Sequence, residues 1–338
     1  MNKHYNVLVL ISLLLSITAC GGGSGSGSSA NSPTSVSSAS LDASNQTVAS
    51  QDVSSMALGL FDTSASAFGV DSPKESLLYS EAFSHLDKFP SYVTDASANP
   101  IVAGAVASQT YNCPSSGSYT ASVDDADNNS RASMGDAFSI TYNNCVSGGV
   151  TVNGTLSFTI TALSGTYGTA PYTLGVSMSF GNFSATSGAY SAALNGAFSV
   201  SGSKTGANAF TQTISASSLS ANANYAGVTR SRSLSGFSAT ETRSADSTYG
   251  YITSYMMSGT LSSSGFSGTR SVSFTTPTTF QRRGGATYPY TGVMLITGAS
   301  NSALKMTTVS NTQVKIELDA NGDSIFESNS TVNWNTLI

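Results

Sequence analysis

Charged residues are scarce in this chain of 338 amino acids: Asp, Glu, Lys and Arg make up 9% of it, whereas about a quarter is usual in globular proteins. Ser, Thr, Gly, Ala and Asn fill the deficit, a composition typical of either disordered or β-rich chains. The 15 Phe and 15 Tyr supply core material that disordered chains lack, so we expect a mainly β fold. The net charge of -5 argues against a nucleic-acid partner.

Side chains suited to catalysis are also scarce. Of the 2 His, only His85 lies beyond the N-terminal leader, so a common zinc site is not expected. The sequence contains no G-x-S-x-G nucleophile motif. Asp124 and Asp125 could supply paired carboxylates for glycoside hydrolysis, but the sequence around them shows no aromatic-lined cleft. We therefore predict a protein that is not an enzyme, with a glycan-acting hydrolase as the weaker alternative.

The apolar run from Val7 to Ile17 is too short to span a membrane, and it follows Lys3, as in a signal peptide. It ends in Ile17-Thr18-Ala19-Cys20, which resembles the lipobox of bacterial lipoproteins. In that family the cysteine becomes the lipidated N-terminus. The resemblance implies a signal peptide over residues 1–19 and a membrane anchor of palmitate-type acyl chains on Cys20. An ordinary signal peptide with a chance cysteine is the alternative.

A Gly/Ser-rich stretch follows, and we predict that residues 20–40 form a lipidated cysteine and a flexible tether. Gly21 and Gly22 stand where inner-membrane lipoproteins usually carry Asp, so the resemblance implies the outer membrane and leaves its surface and periplasmic faces as alternatives. Lipobox, tether and Ser/Thr-rich β body together resemble the uncharacterised outer-membrane lipoproteins of proteobacteria. That resemblance brings no known activity.

Residues 41–110 carry the helical patterns of the chain. Ser72-Pro73-Lys74-Glu75 is a capping box that predicts a helix ending near Pro90. A less regular pattern predicts an earlier helix over about residues 45–68, with Val53, Met56, Leu60 and Phe61 on one side. We expect one or two short helices that pack on the β domain. Docking of their apolar faces on a partner is the alternative.

Alternation with a period of two dominates the rest of the chain, and residues 111–338 are predicted to form an antiparallel β domain. With no helical crossovers, the strands should form a long meander that closes into a barrel or a two-layer sandwich. A short, variable sequence pattern recurs around four glycines, and we interpret it as repeated hairpin geometry. These glycines are Gly154, Gly196, Gly259 and Gly292.

Two cysteines remain once Cys20 is set aside. Cys113 and Cys145 lie in an exported chain, so a disulfide between them is expected. A reactive or metal-binding thiol pair is the alternative.

The most chemically suggestive stretch is "DADNNSRASMGD". Its oxygen-bearing residues fall at alternate positions of a twelve-residue calcium loop, with the carbonyl of Arg131 at the seventh. The candidate calcium ligands are Asp125, Asp127, Asn129, Arg131 and Asp136, and Ser133 stands at the ninth position. The flanks are strands rather than helices, so an Asx-rich loop that caps its own backbone is the alternative.

A second acidic turn carries Asp319, Asn321 and Asp323 in the same alternation, but position 12 is Ser330. An Asn-Gly hairpin is the simpler interpretation of this turn, and calcium is the alternative.

Basic residues dominate the middle of the chain. Arg230 and Arg232 are two apart on one strand and should share a face. With Arg243 they form a candidate face for an anionic ligand such as an acidic glycan. The duller interpretation is that they are solubilising, edge-protecting residues.

These patterns favour a lipid-anchored binding or structural module of the outer membrane that recognises a glycan, a protein or an envelope component. A transmembrane β-barrel pore is the alternative from a different class.

Overall fold

The computed structural model describes residues 36–64, 107–129, 132–225 and 228–337. One antiparallel sheet of 14 strands contains every strand next to its neighbour in sequence. This arrangement confirms the predicted mainly β meander, whose period-two alternation places one side of each strand in a common core.

The elements follow one another without crossovers. The helix α1 and strands β1 to β14 are α1 Gln46–Ser64, β1 Ala107–Asn112, β2 Ser116–Asp124, β3 Ala137–Ser147, β4 Val150–Thr166, β5 Thr169–Ser187, β6 Tyr190–Gly206, β7 Ala209–Tyr225, β8 Val228–Asp246, β9 Gly250–Ser263, β10 Arg270–Arg283, β11 Thr291–Thr297, β12 Ala303–Thr308, β13 Gln313–Asp319 and β14 Ser328–Asn333. Short 3₁₀ helices cover Ala299–Asn301 and Trp334–Thr336. The predicted domain boundary between residues 110 and 111 falls inside β1.

The sheet is not closed into a barrel, because β1 and β14 each have one hydrogen-bonded neighbour among the described strands. Of the two predicted closures, the barrel was therefore wrong. The sheet curves instead around α1, which contacts β8, β9 and β12. Side chains of α1 and of strands from β2 to β13 belong to one buried core, so the sheet wraps around the helix.

α1 is buried over most of its surface. The predicted contact residues Val53, Met56 and Leu60 are buried, and so are Asp52 and Ser54, whereas Thr47 is exposed. A helix with so wide a buried surface is a core element, so in the described structure α1 packs within the β domain, as the first interpretation held. The side chain of Phe61 and the second predicted helix lie outside the described residues.

A reciprocal cap starts this helix. The N–H of Asn45 donates to Asp42 Oδ1 over 3.2 Å, and the N–H of Asp42 donates to Asn45 Oδ1 over 3.0 Å. The Ser44 side chain also donates to Asp42, and together with the backbone N–H groups it lowers the pKa of Asp42 despite partial desolvation. The sequence pattern did not reveal this cap, because Asn replaces the Glu or Gln of the usual motif.

Residues 37–39 pair with the start of β10 in parallel fashion. The N–H of Ala39 donates to the Ser271 carbonyl over 2.8 Å, and the N–H of Ser271 donates to the Ser37 carbonyl over 3.0 Å. Ala39 is buried. The tether predicted for residues 20–40 therefore ends before Ser37.

The Asn-Gly pairs of this recurring pattern lie inside strands, not in hairpin turns. Gly154 is within β4 and Gly196 is within β6, both with positive φ angles of 97° and 116°. Asn153 accepts the N–H of Asn144 over 2.7 Å, and Asn195 accepts the N–H of Asn182 over 2.6 Å. Pairing shifts register at these points. The repeated hairpin interpretation was wrong, because each Asn-Gly pair lies inside a strand, opposite a β-bulge whose extra residue belongs to a neighbouring strand.

Gly259 and Gly292 also lie within strands, in β9 and β11. A Cβ on Gly292 would come within 2.3 Å of a Phe280 ring carbon, so glycine lets an aromatic side chain pack directly on the backbone there.

Candidate functional site

The disulfide predicted between Cys113 and Cys145 is present. Cys113 follows β1 and Cys145 lies in β3, so the bond links the first hairpin to the third strand. Both residues are buried. The thiols are consequently unavailable for the alternative reactive or metal-binding role.

Arg230 and Arg232 share a face of β8, as expected, but this face points into the sheet's concave side toward α1. Arg232 Nη2 lies 2.7 Å from Asp52 Oδ1, and Arg230 Nη1 lies 3.3 Å from the same oxygen. Asp52 is fully buried, and the Ser263 hydroxyl donates to its second oxygen. These two arginines therefore pair with the Asp52 carboxylate of the same chain, and not with the external anion that was expected.

Arg243 belongs to a different environment farther along β8. Arg243 is an odd number of residues from Arg232, so regular alternation would place the two on opposite faces. Both lie on the inner face because β8 carries one extra residue against β9 between Ser235 and Ser238. The Arg243 guanidinium carbon lies 5.0 Å from the Phe210 ring centroid and 4.1 Å from the Tyr251 ring centroid. The predicted face of three exposed arginines is thus not formed.

Around Arg243 the sheet buries a group of polar side chains. Register aligns Phe210, Arg243, Thr253 and Arg282 across β7 to β10. The Arg243 Nε–H donates to Thr253 Oγ1. In the next row of inward-facing side chains, the Gln212 amide donates to the buried Glu241. Burying such groups is costly unless they bond to one another, so this group acts as part of the core.

The first acidic loop brings together three of the predicted calcium ligands. Carboxylate oxygens of Asp125, Asp127 and Asp136 all lie within 4.8 Å of one another. Asn129 is also close, because its amide group donates to Asp127 Oδ2 over 2.7 Å. Arg131 lies outside the described residues.

Asp136 is the buried centre of this loop. Its Oδ1 accepts the N–H of Ala126 over 2.9 Å, and its Oδ2 accepts the N–H of Ser133 over 2.7 Å. Burial raises the pKa of Asp136, although these hydrogen bonds oppose the shift, and the nearby Asp125 adds to it. Both carboxylate oxygens thus cap the loop's own backbone, as the alternative interpretation expected, and calcium binding stays a prediction.

The second acidic turn gathers a ligand set different from the predicted one. Asp319, Asp323 and Glu327 have oxygens within 4.8 Å of one another. Asn321 accepts the N–H of Asp323 over 2.8 Å. Counting from Asp319, Glu327 is at position 9, whereas the twelve-residue template had pointed to Ser330. A search at positions 1, 3, 5 and 9 would have found it.

This turn is not a two-residue Asn-Gly hairpin. β13 ends at Asp319 and β14 begins at Ser328, so residues 320–327 form the connection. Asp319 accepts the N–H of Gly322 over 2.7 Å and that of Ser324 over 2.9 Å. β13 and β14 do pair antiparallel, but the two-residue Asn-Gly turn was wrong, because the Asp319 side chain organises a longer connection.

Cys20 lies outside the described residues. No helix within residues 36–64, 107–129, 132–225 and 228–337 is both long enough and apolar enough to cross a bilayer. Comparisons with protein-family models, curated proteins and solved structures gave no match for this chain.

Proposed function

We propose that the protein is an outer-membrane lipoprotein, anchored by lipid on Cys20, whose β domain is a non-catalytic binding or structural module of the cell envelope. The observation that carries the proposal is the fate of the 3 Cys. Cys113 and Cys145 pair with each other, so Cys20 is the one cysteine outside that disulfide, and it ends the apolar leader. A disulfide also supports export, because such bonds are rare in cytosolic proteins.

The start of the β domain suits an N-terminal anchor. Residues 37–39 pair with β10, so only residues 21–36 separate Cys20 from the sheet. The proposed lipid would consequently hold the domain near the membrane. Glycans, envelope components and proteins are the partners that such a position offers.

Lipidation is tested by expressing the full chain and its Cys20→Ala variant in a Gram-negative host supplied with labelled palmitate. We expect label only in the wild-type protein, which should sediment with outer membranes, while the variant is released in soluble form. Cys113→Ser with Cys145→Ser serves as the control, since it removes two thiols and leaves Cys20 in place. Equal labelling of wild type and Cys20→Ala would refute the proposal.

The exposed side of the membrane is tested by adding protease to intact and to permeabilised cells and following the protein by blot. Cleavage in intact cells would place the β domain outside and direct the search toward external glycans or host proteins. Protection until permeabilisation would direct it toward periplasmic partners.

A further inference from the structure

Arg283, the last residue of β10, is exposed and lies close to two tyrosine rings. Its guanidinium carbon is 4.4 Å from the ring centroid of Tyr249 and 4.2 Å from that of Tyr290. Cation–π attraction to both rings restrains the position of the guanidinium. We call Tyr249, Arg283 and Tyr290 the Tyr-Arg-Tyr cluster.

The backbone fixes Tyr249 beside Arg283. Asp246 Oδ1 accepts the N–H of Tyr249 over 2.8 Å, which orders the turn before β9. The N–H of Gly284 donates to the Tyr251 carbonyl over 2.8 Å. A Cβ on Gly284 would come within 2.3 Å of the Tyr249 carbonyl oxygen, so the two segments approach as closely as only glycine permits.

Gln281 holds Tyr290 near Arg283. The N–H of Tyr290 donates to the Gln281 carbonyl over 2.8 Å, and its hydroxyl donates to Gln281 Oε1 over 2.9 Å. Gln281 and Arg283 are two apart on β10 and so share a face. The cluster is therefore preorganised, which lowers the entropic cost of binding a ligand there.

Few acidic side chains occur in the strands around the cluster. Strands β8 to β11 and their connections contain two, Glu241 and Asp246. Glu241 is buried on the inner face, and Asp246 accepts hydrogen bonds from its own turn. Within the described part of the chain, no acidic side chain forms an ion pair with Arg283. Because Arg283 is exposed, an external anion can reach its N–H groups.

We propose that the Tyr-Arg-Tyr cluster binds an acidic saccharide. The edge of Arg283 would donate two parallel hydrogen bonds to a carboxylate or phosphate group, the geometry for which arginine is suited. Tyr249, 40% exposed, offers an aromatic surface to the sugar ring, and the amide of Gln281 lies on the same face for hydroxyl groups. This inference rests on the proposed function as an envelope binding module and names the ligand class of that module.

The test is affinity electrophoresis of the detergent-solubilised full-length protein in native gels. Polygalacturonate supplies carboxylates and phosphorylated mannan supplies phosphates, so the two gels distinguish the sources of the anion. Neutral dextran and polyglutamate are the controls for sugar alone and for charge alone. We expect retardation by at least one acidic polysaccharide and by neither control.

Variants then locate the site. Arg283→Gln should weaken binding at least about tenfold, because the charge-assisted bidentate contact is lost. Arg283→Lys keeps the charge but not the fork, and should also weaken binding. Arg270→Gln is the matched control, since it removes an exposed arginine from the other end of the same strand, and it should bind as wild type. Thermal melting of each variant confirms that the fold is retained.

Retardation by neither acidic polysaccharide, equal losses in Arg283→Gln and Arg270→Gln, or equally tight binding of polyglutamate would each overturn the inference. Palmitate labelling separates this outcome from failure of the proposed function. Cys20-dependent labelling without saccharide binding would sink the ligand assignment alone, whereas label that persists in Cys20→Ala would sink the anchored module.

Discussion

Asp52 Oδ1 in the buried helix lies 2.7 Å from Arg232 Nη2 in β8, and this ion pair joins the helix to the centre of the sheet. Because Asp52 is fully buried, its replacement leaves the positive charges of Arg230 and Arg232 facing the interior without their counter-ion. We expect Asp52→Asn to lower the free energy of unfolding by about 3 kcal/mol, measured by urea denaturation.

A double-mutant cycle with Arg232→Gln identifies the cause. If the ion pair is responsible, the double variant should lose less stability than the sum of the two single variants. Additive losses would show that Asp52 acts independently of Arg232.

Glu317 forms ion pairs with Lys305 and Lys315, and these pairs should make the stability of the fold depend on pH. Burial of Glu317 acts to raise its pKa, but hydrogen bonds and charges from Lys315 and Lys305 outweigh that effect and lower the pKa below its ordinary value of 4.5. A carboxyl whose pKa is lowered by folding stabilises the fold above its unfolded pKa, and this contribution disappears as pH falls through the folded pKa.

Glu317→Gln should therefore cost about 0.5 to 1 kcal/mol at neutral pH, a range expected for partly exposed ion pairs. The difference from wild type should vanish in acid below the folded pKa. Urea denaturation at a series of pH values checks this, and a difference that is constant with pH would contradict the ionic explanation.

The bulges predict which glycines are essential. A Cβ on Gly154 would lie 2.2 Å from the Asn182 carbonyl oxygen, whereas one on Gly168 would meet nothing within 4 Å. Both glycines have positive φ angles. Gly168→Ala should cost only the conformational penalty of about 1 to 2 kcal/mol, and Gly154→Ala should cost clearly more. Equal losses in thermal or urea unfolding would show that the bulge tolerates a side chain.

The disulfide should account for a measurable part of the stability. Replacing Cys113 and Cys145 together by Ser should lower the free energy of unfolding by about 3 to 4 kcal/mol, the value expected for a loop of this length in the chain-entropy model. Reducing agent should destabilise the wild type and leave the double variant unchanged. A similar response in both would mean that the reagent acts elsewhere.

Calcium binding is a separate prediction for the two acidic turns. We expect millimolar calcium to raise the melting temperature of the wild type, since oxygen ligands at alternate positions suit that ion. Asp127→Ala and Asp323→Ala, made separately, would assign the shift to one turn. Unchanged melting of the wild type at millimolar calcium would refute the prediction for both.

The features that sequence reasoning predicted correctly are local. Alternation such as Phe138, Ile140 and Tyr142 predicted β3, and similar runs predicted the meander, because each strand pairs with its sequence neighbour. The pairing of Cys113 with Cys145 was also predicted correctly, because two cysteines beyond Cys20 in a chain expected to be exported should form a disulfide.

The features it missed depend on residues far apart or on ambiguous signals. Asp52 contacts Arg232 across 180 positions of sequence, so no local pattern could show that the arginine faces inward. Asn-Gly favours a tight hairpin turn, but Asn153 and Gly154 lie inside β4, opposite bulges in β3 and β5. Alternation alone did not locate the extra residue, which changes the face of every residue after it.

The sequence also could not decide between a closed barrel and a two-layer sandwich. Curvature depends on where the bulges fall and on what occupies the concave side, and here α1 occupies it. The sequence pattern indicated an apolar stripe on that helix, which is compatible with packing on one face of a sheet. The buried polar residues on its other sides, such as Asp52, gave no signal until their partners were known.

The enclosed helix has a consequence for the order of folding. The strands can form one after another as hairpins, because their contacts are local. α1 precedes all of them in the chain, yet it contacts β8, β9 and β12, and the side chain of Gln51 donates to the carbonyl of Thr336. The first described helix must therefore wait, with its apolar surface unburied, until almost the whole chain has emerged, and this delay makes it the segment on which a chaperone would act.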